Sequence, residues 1–158
     1  MRKTVLLVLV LILGLSATSA FAAAGWGIGV EYSLGVLGGL PGQALLTLKS
    51  NQLPFVLGIG VVLAQNYFNM GATLDWWLFQ SHLIGIIDIY IGPGLYLMLP
   101  APFEIGGRIP IGLQIWPIGK VLELFLEIAP SMAFISDRAG IVIPNLGLQA
   151  GFGFRFWF

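Results

Sequence analysis

From Trp26 to Leu37 the chain alternates with a period of two. Trp26, Ile28, Val30, Tyr32, Leu34 and Val36 are large and apolar, whereas Gly27, Gly29, Glu31, Ser33 and Gly35 are small or polar. Successive strand residues point to opposite faces, so the segment predicts a β-strand with one greasy face and one small, polar face. The pattern recurs. Phe68–Leu78 sets Met70, Ala72, Leu74 and Trp76 against Asn69, Gly71, Thr73 and Asp75, and Ile87–Leu97 sets Ile89, Ile91, Leu95 and Leu97 against Asp88, Tyr90, Gly92, Gly94 and Tyr96. Phe103–Ile115 opposes Phe103, Ile105, Ile109, Ile111 and Leu113 to Glu104, Gly106, Arg108, Gly112 and Gln114. Leu122–Ile128 opposes four aliphatic residues to Glu123, Phe125 and Glu127; Leu146–Phe158 opposes seven apolar residues to Gly147, Gln149, Gly151, Gly153, Arg155 and Trp157. Ala44–Lys49 and Phe55–Leu63 complete eight predicted strands, with a weaker alternation.

The charges sort by face. Glu31, Asp75, Asp88, Glu104, Glu123 and Glu127 all fall on the small or polar side, with Arg108, Arg155 and Lys49. No charge falls on a large apolar face. A soluble ligand-binding barrel has the opposite polarity, so here the greasy face must turn outward, which only lipid permits. In hydrocarbon every backbone group must bond internally, so strands there must close. The expectation is an all-β fold: an eight-stranded antiparallel transmembrane β-barrel, an up-and-down meander. Helical spans are disfavoured, because Pro93, Pro110 and Pro130 and the acids around them interrupt the ~20 apolar residues a span needs.

Composition adds to this picture. The 158 residues are 58% hydrophobic and 9% charged, with 22 glycines and 9 prolines. A soluble domain carries roughly 25% charge, and so many glycines and prolines oppose helices. Arg2 and Lys3 precede an apolar run, Val5–Leu15, that ends in the small residues before Ala22. That layout is a secretory signal peptide over residues 1–22, which leaves 23–158 as the barrel. The mature segment has five basic and seven acidic residues, a net charge of −2 with no basic surface for nucleic acid. With no cysteine, neither a disulfide nor a lipidated N-terminus is expected.

An even strand number puts both barrel ends on the periplasmic side. Periplasmic turns are then expected near Ser50–Gln52, Gln80–Leu83 and Trp116–Lys120, and outer loops near Gly38–Gly42, Ala64–Tyr67, Leu99–Pro102 and Ile135–Asn145. Trp26, Phe55, Trp76, Trp116, Phe156 and Phe158 fall at the periplasmic strand ends as membrane-interface aromatics, with Phe68 and Phe103 opposite. Pro93 and Pro110 lie within strands and remove ladder donors, so kinks are expected there.

The closing FGFRFWF, with Phe154, Phe156 and Phe158 at alternate positions, resembles the C-terminal signal read by the outer-membrane barrel assembly machinery. Gly106–Pro117, Leu122–Met132 and that strand resemble a spirochaete-type family of small OmpA-like barrels of unknown function. The resemblance implies bacterial outer-membrane location, and as partners outer-membrane lipid, the assembly machinery and periplasmic chaperones. It brings no catalytic residues.

Inside the barrel, counting hairpins about their turns sets Glu123 opposite Gln114 and brings Arg108 and Arg155 diagonal to Glu127, an ion cluster that would fix the interior. Thirteen inward glycines leave little side-chain volume, the one feature that points to a cavity. A Ser/His hydrolase has no convergent acid, because His82 beside Ser81 falls in a predicted turn. One histidine without cysteine gives no transition-metal site, and an all-oxygen Ca²⁺ site in the acidic lumen stays open. No cofactor is expected. The reading favoured is a monomeric, non-enzymatic structural barrel with a largely plugged lumen that supports envelope integrity. The alternatives are a narrow cation-preferring pore or conduit for small or hydrophobic solutes, and a surface adhesin using Asp137 and Arg138.

Overall fold

The computed structural model describes residues 25–38, 40–63, 68–100, 103–137 and 144–158. The expected signal peptide, the loop Ala64–Tyr67 and Arg138 lie outside the described residues. The strands are β1 (Trp26–Leu37), β2 (Gly42–Ser50), β3 (Phe55–Leu63), β4 (Phe68–Trp76), β5 (Phe79–Ile84), β6 (Ile87–Ile91), β7 (Gly94–Leu99), β8 (Glu104–Arg108), β9 (Ile111–Ile118), β10 (Leu122–Ser136) and β11 (Asn145–Trp157). They form eight staves, because β4 with β5, β6 with β7 and β8 with β9 are each one strand interrupted by two residues. Every pairing is antiparallel, and β11 bonds to both β1 and β10, which closes the sheet into a barrel.

The closure has a defined stagger. Ladder partners run from Trp157 through Gly27, Lys49, Val56, Asp75, Gly94, Arg108 and Ser131 back to β11 at Gly147, ten residues from the start. A stagger of this kind tilts the strands by about 35–45° to the barrel axis. Two of the interruptions fall at proline. Gly92–Pro93 and Ile109–Pro110 fall on neighbouring staves, where each proline lacks an N–H. Their carbonyls still accept, Pro93 from the Trp76 amide (2.8 Å) and Pro110 from the Gly92 amide (3.3 Å). The strands kink without opening the wall.

The two faces separate as the alternation requires. Outward positions such as Leu46, Ile59, Leu74, Leu126 and Phe152 are large, apolar and exposed, with Leu126 at 58%. Inward positions are polar and buried, with Glu104, Glu123 and Gln114 at 0%. This is the reverse of a soluble core.

The inward glycines behave differently from expectation. Four of them face an aromatic ring directly across the ladder: Gly112 opposite Tyr90, Gly106 opposite Tyr96, Gly153 opposite Phe125, and Gly27 opposite Trp157. A Cβ built on any of the four would enter that ring. The missing side chains are therefore seats for large ones, and at these positions they leave no void.

Two turns are corrected. Gln80–Leu83 is not a turn but strand, paired from Phe79 opposite Ile91 to His82 opposite Asp88. The reversal comes at Gly85–Ile86, where Gly85 has φ +59, a conformation that costs other residues. Trp116 likewise lies in β9, and the next reversal uses Gly119 at φ +52. In β5 the pairing continues past the polar residues Gln80, Ser81 and His82 that suggest a loop.

Replacing Gly112 with valine should destabilise the barrel by about 1–3 kcal/mol, because overpacking would displace the Tyr90 ring. Adding Tyr90→Ala should recover part of the loss. Urea titration of the refolded protein, read by the gel shift between unboiled and boiled samples, measures both.

Candidate functional site: the barrel interior

Three polar layers cross the interior. The lowest, towards the end that carries the tight turns, is built where β10 and β11 place Glu123 and Arg155 directly opposite each other. Arg155 donates from Nη1 to Glu123 Oε1 (2.5 Å) and from Nε to Thr47 Oγ1 (3.1 Å). Glu123 also accepts from Trp157 Nε1 (2.7 Å) and Gln114 Nε2 (2.8 Å), and Gln80 donates to Gln114 (2.8 Å). The Arg155 guanidinium sits 4.1 Å from the Phe125 ring centre and 5.4 Å from that of Trp77. Trp77 stacks on Tyr90 with centroids 3.8 Å apart and planes at 17°. The buried cation is thus held by one carboxylate and two ring faces, a contact worth more out of water.

The middle layer centres on Arg108. Its Nε lies 3.1 Å from Asp75 Oδ1, and its Nη2 pairs closely with Glu127 Oε1. Tyr90 donates to the other Glu127 oxygen (2.7 Å). Glu31 is buried at the same depth of β1, and its Oε1 has no hydrogen-bond partner. The upper layer holds Glu104, which accepts from Tyr96 (2.9 Å) and Ser136 (3.0 Å), beside an apolar cluster of Leu40, Val62, Tyr96 and Met98.

The expected clamp on Glu127 forms by half. Arg108 reaches it, but Arg155 pairs with Glu123 instead. The actual register sets Gln114 opposite Phe125 and Glu123 opposite Arg155, a slip of two residues from the hairpin count on both sides of β10. The slip keeps every side chain on its face and changes only the partners.

Asp88 stands apart from these layers. It is half-buried at the turn end, where it accepts from Trp116 Nε1 (2.9 Å) and meets His82 Nδ1 (2.8 Å). The expectation that no acid lies near His82 is therefore corrected: the β5–β6 hairpin sets His82 opposite Asp88. Ser81 does not complete a triad, because its hydroxyl bonds to the His82 carbonyl and not to the ring. Among the described residues no group of three or more His, Cys, Asp or Glu side chains could hold a metal.

The interface aromatics divide. Phe55 and Trp76 touch on the outer surface, 5.4 Å between centroids, and Phe154 and Phe156 are outward and exposed. Trp116 instead lines the turn-end mouth beside Trp157 at 5.8 Å. Lys49, Tyr90 and Trp157, which the alternation sets on the inward face without giving them a role, join Trp77 around the lowest layer. Parity alone marks Trp77, two residues beyond Asp75 on the same face.

A closed eight-stranded meander, apolar outside and polar inside, is the fold of the small outer-membrane β-barrels. The chain resembles the crystal structure of Neisserial surface protein A (NspA), with a TM-score of 0.52 and 12% sequence identity over 85% of this chain and 96% of NspA. No protein-family model and no curated protein sequence matches the chain.

Removing one partner of a buried ion pair leaves the other charge unpaired, at a cost of about 3–5 kcal/mol. Arg155→Met should lose about that much stability, and adding Glu123→Gln should restore most of it. Denaturant midpoints of the single and double variants in the same detergent test this coupling.

Proposed function

We propose that this chain is an integral outer-membrane barrel whose lumen is closed to ions and whose role is structural, in support of envelope integrity. The observation that carries this reading is the stacked seal of Arg155, Phe125, Trp77 and Tyr90 beneath the Arg108–Asp75–Glu127 cluster. Rings fill the space that glycines concede, and both arginines are tied to carboxylates. The turn end then faces the periplasm, as short turns do in this class. Export by a cleaved signal peptide, presentation of the Phe154–Phe156–Phe158 strand to the assembly machinery, and a monomeric state belong to the same proposal. Its kinship lies, on this reading, with the spirochaete-type OmpA-like barrels.

One feature favours a second reading, a narrow cation-preferring pore. Among the described residues five acids are buried (Glu31, Asp75, Glu104, Glu123 and Glu127) against three bases (Lys49, Arg108 and Arg155). Water in such a lumen would favour cations.

Planar-bilayer recording separates the two. The wild type should show no stepwise conductance, and steady channels of defined size would contradict the closed reading. Trp77→Ala with Tyr90→Ala should open a cation-preferring conductance, since it removes the stack while leaving the acids in place.

A further inference from the structure

The turn end of the barrel opens into a vestibule of about 650 Å³. Its size falls in the range of small-ligand sites, about 300–1,000 Å³. Lys49, His82, Asp88, Lys120, Trp116 and Trp157 line it, and the Glu123–Arg155 layer adjoins it through Trp157 and Gln114.

Lys49 is the unusual member. It is 6% exposed, yet no carboxylate among the described residues forms an ion pair with it. Its ammonium has a long bond to the Ser50 carbonyl (3.4 Å) and otherwise faces indoles, 4.6 Å from Trp77 and 5.8 Å from Trp157. A buried cation is costly unless it is paired. The nearby acids are already engaged: Glu123 by Arg155, Trp157 and Gln114, and Asp88 by His82 and Trp116. The two indole N–H groups at the mouth are spent on these acids, so Trp116 and Trp157 offer the vestibule only apolar ring surface. One side of the cavity thus carries an ammonium with no ion-pair partner, the two indoles supply apolar ring surface among polar neighbours that include Asn51, Gln80 and Asp88, and Lys120 adds a second cation on the lining.

We propose that this vestibule is a binding site for an amphipathic anion, a carboxylate or phosphate attached to a short apolar chain, with Lys49 as the counterion and the two indoles packing the chain. The site lies on the open side of the seal, so it holds whether or not the lumen beyond it conducts.

The test uses the full mature protein in nanodiscs, titrated with hexanoate and hexyl phosphate and followed by tryptophan fluorescence. Hexanol and hexyltrimethylammonium serve as neutral and cationic controls. The expected result is saturable binding of at least one anion, at least tenfold weaker in Lys49→Met and retained in Lys49→Arg. Tighter binding of hexanoate would identify a free carboxylate amphiphile, and of hexyl phosphate a phospholipid-type head. Saturation by neither anion, equal binding of hexanol, or unchanged affinity in a folded Lys49→Met would overturn the proposal. Should Lys49→Met fail to give the gel shift of a folded barrel, the wild-type contrast between anions and hexanol decides alone.

Discussion

A backbone amide in hydrocarbon has no water to bond, so each must find its partner within the protein. Everything else in this chain follows from that constraint. Strands can meet it only by closing, and the pairing of β11 with both β1 and β10 is the closure. Once the sheet is closed, each residue faces lipid or lumen with no third choice. The prolines show how strictly the rule is kept. At Pro93 and Pro110 a donor is missing, and the chain breaks the strand locally while the proline carbonyls still accept from the neighbouring stave.

Closure at eight strands makes the interior narrow, and narrowness sets the chemistry of the lumen. Charges there are buried, so they need partners. Arg155 and Arg108 each anchor a layer, one through Glu123 and the other through Asp75 and Glu127. The large rings between them need room, and a glycine on the adjacent stave supplies it, as Gly112 does for Tyr90 and Gly153 for Phe125. Glycine content and aromatic content are thus two halves of one packing solution. The exterior faces the easier task of meeting lipid, and large aliphatic residues suffice.

How much of this was legible follows from the range of each signal. The faces depend only on parity, so β1 and β3 lie where the alternation set them, and the charges lie inward. Kinks at Pro93 and Pro110 follow from a missing donor, a property of the residue itself. Register is different. A slip of two preserves every face, so hydrophobic pattern cannot detect it, and hairpin counting pairs Arg155 with Glu127 when its true neighbour is Glu123. The β5 segment is hard to read from sequence for a related reason: Gln80, Ser81 and His82 look like a loop, whereas the turn is at Gly85. The glycine seats were hidden as well, because they depend on which ring lies across the ladder. Lys49 became visible as a site only when the structure showed what its neighbours were already bonded to.

The whole structure turns on the inversion of faces, lipid outside and a filled polar interior within. The chain has no native cysteine, so single cysteines can be placed and spin-labelled one at a time along β10 from Leu124 to Met132. In lipid bilayers accessibility to oxygen, which partitions into lipid, should rise at 124, 126, 128 and 132 and fall at 125, 127, 129 and 131. A profile with no period of two, or one with maxima at 125, 127 and 129, would contradict the inversion.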